Sequence, residues 1–193
     1  MAMSKSLEER VKAAVREEIS ISPYNPAWPV MFLEEAEFLR CSLPTELLGR
    51  IEHFGSTAVP GLAGKPIVDM LVEVTSLEET QRQIVPILES RGYDYFWRTD
   101  VDPPYAWFIK RDRVGKRTHH IHMVEFDSRI WDALYFRDYL KEFSDESQRY
   151  DELKRSLATR YPKDRVAYTK GKTEYIREVT ERAKHYYATQ ERS

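Results

Sequence analysis

The residues best able to do chemistry lie in one stretch, Arg50 to Val74, RIEHFGSTAVPGLAGKPIVDMLVEV. An apolar piece (Ile51 to Phe54) runs into Gly55-Ser56-Thr57, followed by a loop with Pro60, Gly61, Gly64, Lys65 and Pro66. The loop enters Ile67 to Val72, a strand-like run with Asp69 set among aliphatics. A glycine lets the backbone turn tightly and approach a ligand with no Cβ in the way. Ser56 and Thr57 offer hydroxyls and N–H groups to phosphate oxygens, and a helical turn starting there would add its positive end. Lys65 is a candidate phosphate partner. Burying a lone carboxylate is costly unless a cation or hydrogen bonds hold it. Asp69 therefore sits at the strand's open end or holds something. One candidate is Mg²⁺, which bridges and neutralises polyphosphate oxygens. The plainer reading is an ordinary turn followed by a strand whose Asp pairs with a lysine.

A second candidate set lies in THHIHMVE, Thr118 to Glu125. Strand alternation puts His120 and His122 on one face and His119 on the other. Two histidines at i, i+2 with Asp69 form a three-ligand set for a transition metal such as Zn²⁺, Mn²⁺ or Ni²⁺. The alternatives are polar lining of that face or, when protonated, phosphate contact. His53, two residues before Gly55, either reaches the cleft or, as expected, hydrogen-bonds the loop backbone, and His119 is expected to be structural.

A third set is basic. From Arg149 to Lys172 eight Lys and Arg stand against Asp151, Glu152 and Asp164. Most of them, Lys154 included, read as a solvated helix face. Arg165, Tyr168, Lys170 and Lys172 are placed in a loop entering the last helix, where they can close over phosphates or stack on a base. Lys110, Arg111, Arg113, Lys116 and Arg117 read as a basic loop, and the two groups together form a positive rim.

The positioning elements follow from pattern. Ser6-Leu7-Glu8-Glu9 and Ser76-Leu77-Glu78-Glu79 read as capping boxes. The first opens a helix over Leu7 to Glu18. The second opens one ending near Arg91, with Gly92 as its cap and Pro86 kinking or splitting it. Ile19 to Ile21 alternates like a short strand. Phe32, Ala36 and Leu39 mark a helix from Trp28 to about Arg40, and Cys41 just beyond reads as a small buried hydrophobe. Tyr93 to Trp97 and Ala106 to Ile109 read as antiparallel strands around Asp102-Pro103-Pro104, with Trp97, Trp107 and Trp131 in the core. From Ser128 onward the chain reads as helical, broken at Tyr161-Pro162, with a last helix from about Thr173 to Tyr187.

The 193 residues, 41% hydrophobic and 12% aromatic, suit a single folded α+β domain. A net charge of −2 argues against coating nucleic acid. Cys41, the one cysteine, excludes an internal disulfide framework and a multi-cysteine zinc site. The charged start without an apolar signal core, and the lack of any stretch approaching a membrane span, predict a soluble cytoplasmic protein.

The segment HFGSTAVPGLAGKPIVDMLVEV resembles the signature of the GrpB family. ISPYNPAWPVMF, HHIHMV, FRDYL and DRVAYTKGKTEYI match it as well, so the resemblance runs from about Ile21 to Arg177. It implies a nucleotidyltransferase-like fold, a small mixed sheet flanked by N- and C-terminal helices. In such a fold Gly-Ser opens the site and acidic residues on nearby strands bind divalent metal. The sequence departs from the usual pattern at Leu71, where a second carboxylate is expected, and in having His120 and His122 where a later strand usually brings a third. Glu73, two further along the same face, can contribute only if the strand bends. The resulting expectation is metal-dependent transfer of a nucleotidyl group from an NTP to a small acceptor. Asp69, Ser56 and Lys65 would be catalytic, and Gly55, Ser56, Thr57, Lys65, Arg165, Tyr168, Lys170 and Lys172 would contact nucleotide or phosphate. Asp69, His120 and His122 would hold the metal. The alternatives are a non-catalytic nucleotide- or phosphometabolite-binding module and a hydrolase-like Asp/His metalloenzyme. The sequence leaves the acceptor, the base and the oligomeric state open.

Overall fold

A computed structural model describes residues 18–99 and 101–190. The expected helix over Leu7 to Glu18 and its capping box lie outside the described residues, apart from Glu18, which is not helical. The framework is a five-stranded mixed sheet in the order β1-β2-β5-β4-β3. Its strands are β1 (Leu48–Phe54), β2 (Val68–Val74), β3 (Asp94–Arg98), β4 (Tyr105–Arg111) and β5 (Arg117–Glu125). β2 and β5 run parallel, and all other neighbours are antiparallel. The two parallel strands are central and mostly buried; β2 accordingly reads as an apolar run with two carboxylates, whereas β5 carries Arg117 and three histidines.

Strand alternation divides the residues between two faces. Val68, Met70, Val72, Ile121, Met123, Ala106 and Phe108 enter the main core, covered by α1 (Trp28–Ser42) and the segment after β2. That segment starts where the capping box predicts, with Ser76 Oγ accepting from Glu79 N at 3.2 Å. It is divided into α2 (Leu77–Glu79), a π-turn (Thr80–Ile84) and α3 (Val85–Ser90). Pro86 supplies no N–H to a continuous ladder, consistent with the division. Glu35 projects inward from α1, where Tyr93 and Lys110 both donate to its carboxylate.

Three expectations fail here for identifiable reasons. Cys41 is exposed, not a buried hydrophobe. It lies two residues past inward-facing Leu39, about 200° round the helix, and donates to Glu37 at 3.3 Å. Ile19 to Ile21 form no strand, and only a single bridge, Ser22 to Gly64, pairs this segment. Of the three tryptophans only Trp131 is buried; Trp97 and Trp107 are half-buried beside their clusters.

The opposite face of the sheet carries Phe54, Asp69, Leu71, His120, His122 and Trp107. Over its β1 end pack α4 (Ala133–Glu142), α5 (Ser144–Arg160) and α6 (Arg165–Gln190). Arg137 fastens α4 to β1, donating to Glu52 Oε2 and to the His53 carbonyl, each at 2.8 Å. Val59 and Leu62 from the loop after Ser56 are buried with Phe136, Leu140, Tyr150 and Val179 of these helices. The C-terminal helices thus hold the Gly-Ser loop in place.

The last helix begins at Arg165, eight residues before the expected Thr173. Asp164 caps it, Oδ1 accepting from Ala167 N at 2.9 Å. Gly171 continues the helix where it presses on Leu157 of α5, a Cβ there falling 2.6 Å from Leu157 Cδ2.

At Gly55 the backbone takes φ 71° and ψ −171°, a region open to glycine alone. A Cβ there would also stand 2.7 Å from Asp69 Oδ2. Gly55→Ala is therefore expected to lower unfolding free energy by about 1–3 kcal/mol. Denaturant unfolding checks this, and an unchanged midpoint would contradict the strained turn.

Candidate functional site

The site is built where β1 ends and β2 begins, because antiparallel pairing sets Phe54 beside Asp69. The next residue, Gly55, turns the chain over the Asp69 carboxylate, and Ser56–Ala58 forms a single 3₁₀ turn. Parallel pairing then aligns Asp69 with His120 and Leu71 with His122. Among the described residues, Asp69, His120 and His122 bring potential ligand atoms within 4.8 Å of one another. The expected three-residue cluster is thus assembled by the β2–β5 register, and the β1–β2 register sets the glycine turn beside it.

Its electrostatics favour a cation. His120 Nδ1 lies 3.1 Å from Asp69 Oδ1. Burial pushes the Asp69 carboxyl up, but the His120 hydrogen bond, His120, His122 and Lys65 together hold it below the ordinary carboxylate range. Asp69 is therefore ionised at neutral pH. His122 is enclosed by Phe54 and Tyr105, with ring centroids at 5.2 and 5.1 Å, and burial drives its pKa down to about 3 against the pull of Asp69. Burial lowers His120 too, again opposed by Asp69. An anionic oxygen beside two neutral imidazoles is a donor set for a borderline transition metal. It suits Mg²⁺ poorly, since that ion requires oxygen ligands, and the second carboxylate position is the fully buried Leu71. Glu73 does not join the set; it pairs with Arg50 at 3.0 Å.

Beside the cluster stands a cationic wall. Lys154 of α5, read from sequence as part of a solvated face, is only 2% exposed. Its ammonium donates to the Ala63 carbonyl and, at 3.3 Å, to Ser56 Oγ. The sequence held a signal for this: Tyr150, Lys154 and Leu157 recur at i, i+4, i+7, so Lys154 rides the buried stripe. Lys172 of α6 lies 4.5 Å over the Tyr168 ring and Lys65 5.7 Å from the same centroid. Burial lowers all three lysines, Lys65 to about 7 and Lys154 and Lys172 to about 8. Lys172 and Arg165 push Lys65 further down, while Asp69 pulls it up.

The other expected contacts distribute unevenly. Arg165, Tyr168, Lys170 and Lys172 lie on α6, not in a loop, so helical spacing separates them: Tyr168 and Lys172 turn inward and Lys170 is exposed. Thr57 is buried, and its hydroxyl is paired with His53 Nε2 at 2.9 Å, so that hydroxyl is committed to the loop. His53 thus meets a side chain of the loop, Thr57, where a hydrogen bond to the loop backbone was expected. His119 lies on the opposite face from His120 and His122, as expected, its Nε2 3.3 Å from the Met31 carbonyl of α1. The basic loop from Lys110 to Arg117 proves to be two strand ends and a short turn. Lys110 is taken by Glu35, Arg111 by Asp94 at 2.9 Å, and Arg117 is buried with a nitrogen 3.4 Å from His120 Nε2.

The chain as a whole is similar to known proteins. A UPF0157 protein of Pseudomonas aeruginosa is 42% identical over 177 residues, covering 91% of this chain and 72% of that protein. The glutamate-rich protein GrpB of Alkalihalophilus pseudofirmus is 33% identical over 165 residues, covering 84% of this chain and 94% of that one. The crystal structure of conserved protein GrpB from Enterococcus faecalis superposes with a TM-score of 0.77 at 34% identity, over 87% of this chain and 99% of that one. The family model for GrpB protein matches residues 18–182, spanning both central strands, the Gly-Ser loop and most of the helical wall, so the chain belongs to the GrpB family.

Proposed function

We propose that the site binds a nucleoside triphosphate with a divalent metal and transfers its nucleotidyl group to a small acceptor. One observation carries the reading: a glycine turn packed on an ionised carboxylate, faced by the buried cation Lys154 on Ser56. A polyphosphate suits both sides of that arrangement, since a metal held by the carboxylate side would neutralise its charge and its oxygens would accept from ammonium groups on the other. Asp69, His120 and His122 would hold the metal, which when bound supplies charge neutralisation at the phosphates. Ser56, Lys154 and Lys172 would orient the phosphate chain, and Tyr168 would keep Lys172 in place. As the acceptor's hydroxyl oxygen bonds to the α-phosphorus, the bond from that phosphorus to the α–β bridging oxygen breaks, pyrophosphate leaves, and the acceptor's proton passes to solvent. Such a transfer depends mainly on alignment and charge stabilisation.

Leu71 favours a second reading, a binding module without turnover, because a single carboxylate lacks the paired-acid grip on two ions. The nitrogen-rich donor set favours a third, a hydrolase-like Asp/His metalloenzyme. Release of labelled pyrophosphate with label retained on an acceptor supports transfer, binding without turnover supports the module, and hydrolysis without acceptor labelling supports the metalloenzyme.

Titration calorimetry is expected to show Mn²⁺ or Zn²⁺ binding more tightly than Mg²⁺. The His120→Ala/His122→Ala double variant should lose about tenfold or more of that affinity, as should Asp69→Asn. Unchanged metal and ATP binding in Asp69→Asn would remove this carboxylate from the site. ATP affinity should also fall as pH rises through about 7 to 8, where Lys65, Lys154 and Lys172 lose their charge. The opposite slope would mean that these lysines do not face the phosphates.

A further inference from the structure

Lys65 sits at the turn that carries the chain from the Gly-Ser loop into β2. Gly64 before it is held by reciprocal bonds to Ser22 of 2.8 and 3.0 Å, and the Lys65 carbonyl accepts from Ile67 N at 2.7 Å. With its backbone fixed on both sides, the half-buried side chain reaches α6, where Nζ lies 5.7 Å from the Tyr168 ring centroid. Among the described residues none closes a hydrogen bond or an ion pair with this amino group, Asp69 included. The charged and titratable groups facing it are Asp69 of β2, Arg117 and His120 of β5, and Arg165, Tyr168 and Lys172 of α6. Burial, Lys172, Arg165 and Arg117 disfavour the ammonium and Asp69 favours it; the balance brings its pKa down to about 7. Lys65 also lines a cleft of about 510 Å³ that extends to the exposed Glu18, Ser20 and Pro66.

We propose that Lys65 is the general base of the transfer, taking the proton of the acceptor hydroxyl as its oxygen attacks the α-phosphorus. The proposal rests on the transfer reading above, whose acceptor must lose a proton. The other candidate bases are committed. His120 and His122 would give their lone pairs to the metal, and Asp69 is a weak base, held below the ordinary carboxylate range. Leu71 stands where a second carboxylate could otherwise serve. His53 is paired with Thr57, and Lys154 with the Ala63 carbonyl and Ser56 Oγ. Lys172 lies closer over the Tyr168 ring, at 4.5 Å. Lys65 alone of these combines an unpaired amino group, a balance of protonated and neutral forms near neutral pH, and a place on the adjoining cleft. In the step the acceptor O–H bond breaks as its oxygen bonds to phosphorus, and the neutral amine becomes an ammonium. The α–β bridging oxygen leaves with pyrophosphate, and the cleft gives the ammonium a route for returning its proton to solvent. Lys65 thus acts on the acceptor, where its sequence context suggested a phosphate contact.

Two measurements on the full-length protein test this. In the first, limiting acetic anhydride is applied across a pH series and the acetylated lysines are located by peptide mass spectrometry. Lys65 is expected to reach half its maximal reactivity at a pH of about 7. A free lysine peptide in the same tube should do so at about 10.4. The second is pyrophosphate release from ATP and Mn²⁺ with glycerol as the hydroxyl acceptor. Its kcat should rise with pH through about 7, because the neutral amine is the active form. Lys65→Arg keeps the positive charge but cannot take up a proton. It should lower kcat about 10²-fold or more and flatten the pH profile, with KM for ATP within about threefold of wild type. A Lys65 midpoint near that of the free peptide, or no acetylation at any pH, would overturn the proposal. So would a wild-type kcat in Lys65→Arg, and a raised KM beside that kcat would make Lys65 a phosphate contact. No pyrophosphate release from the wild-type protein would instead sink the transfer reading, and the base role with it, whatever the acetylation midpoint.

Discussion

The arrangement depends on keeping the Asp69 carboxylate ionised while partly enclosed. A carboxylate in that position is stable only if charge or hydrogen bonds replace the water it has lost. The fold meets this requirement with His120 at 3.1 Å on the neighbouring strand and with lysines arriving from the loop and α6, while the glycine turn leaves room for the carboxylate where a Cβ would collide with Oδ2. Each comes from a different part of the chain. The site therefore exists only once the strand register, the loop and the C-terminal helices are all in place.

That requirement explains features that otherwise look costly. Lys154 is a buried ammonium, which desolvation opposes, yet it links α5 to Ser56 and to the Ala63 carbonyl. Gly64 is constrained in the same small space, where a Cβ would meet Ser56 Cβ at 2.9 Å. Arg137 closes the other side by binding the His53 carbonyl, two residues before the glycine turn. The loop is thus clamped at both ends by cations from the helical part. Among the described residues no helix is long and apolar enough to cross a membrane.

Much of this was legible in the sequence where the signal was local. The α+β class, the apolar strand around Asp69, the Ser76 cap and the facing of His120, His122 and His119 all follow from short-range periodicity or turn chemistry. The misreadings arose where tertiary contacts decide. The break at Tyr161-Pro162 suggests a loop running on to Thr173, but Asp164 capping and the close approach of α5 to α6 at Gly171 allow the helix to start at Arg165. Lys154 was assigned by its charge, although its spacing from Tyr150 and Leu157 placed it on the buried side. The basic stretch from Lys110 to Arg117 was assigned by composition, which cannot say that Glu35 and Asp94 neutralise two of its members.

The most direct test of the account is anomalous diffraction from crystals grown with Mn²⁺ and a non-hydrolysable ATP analogue. The account predicts one manganese peak within bonding distance of an Asp69 oxygen and of the His120 and His122 rings, with phosphate density toward Ser56 and Lys154. A peak elsewhere, with the Asp69–His120 hydrogen bond intact and no ion between them, would contradict it.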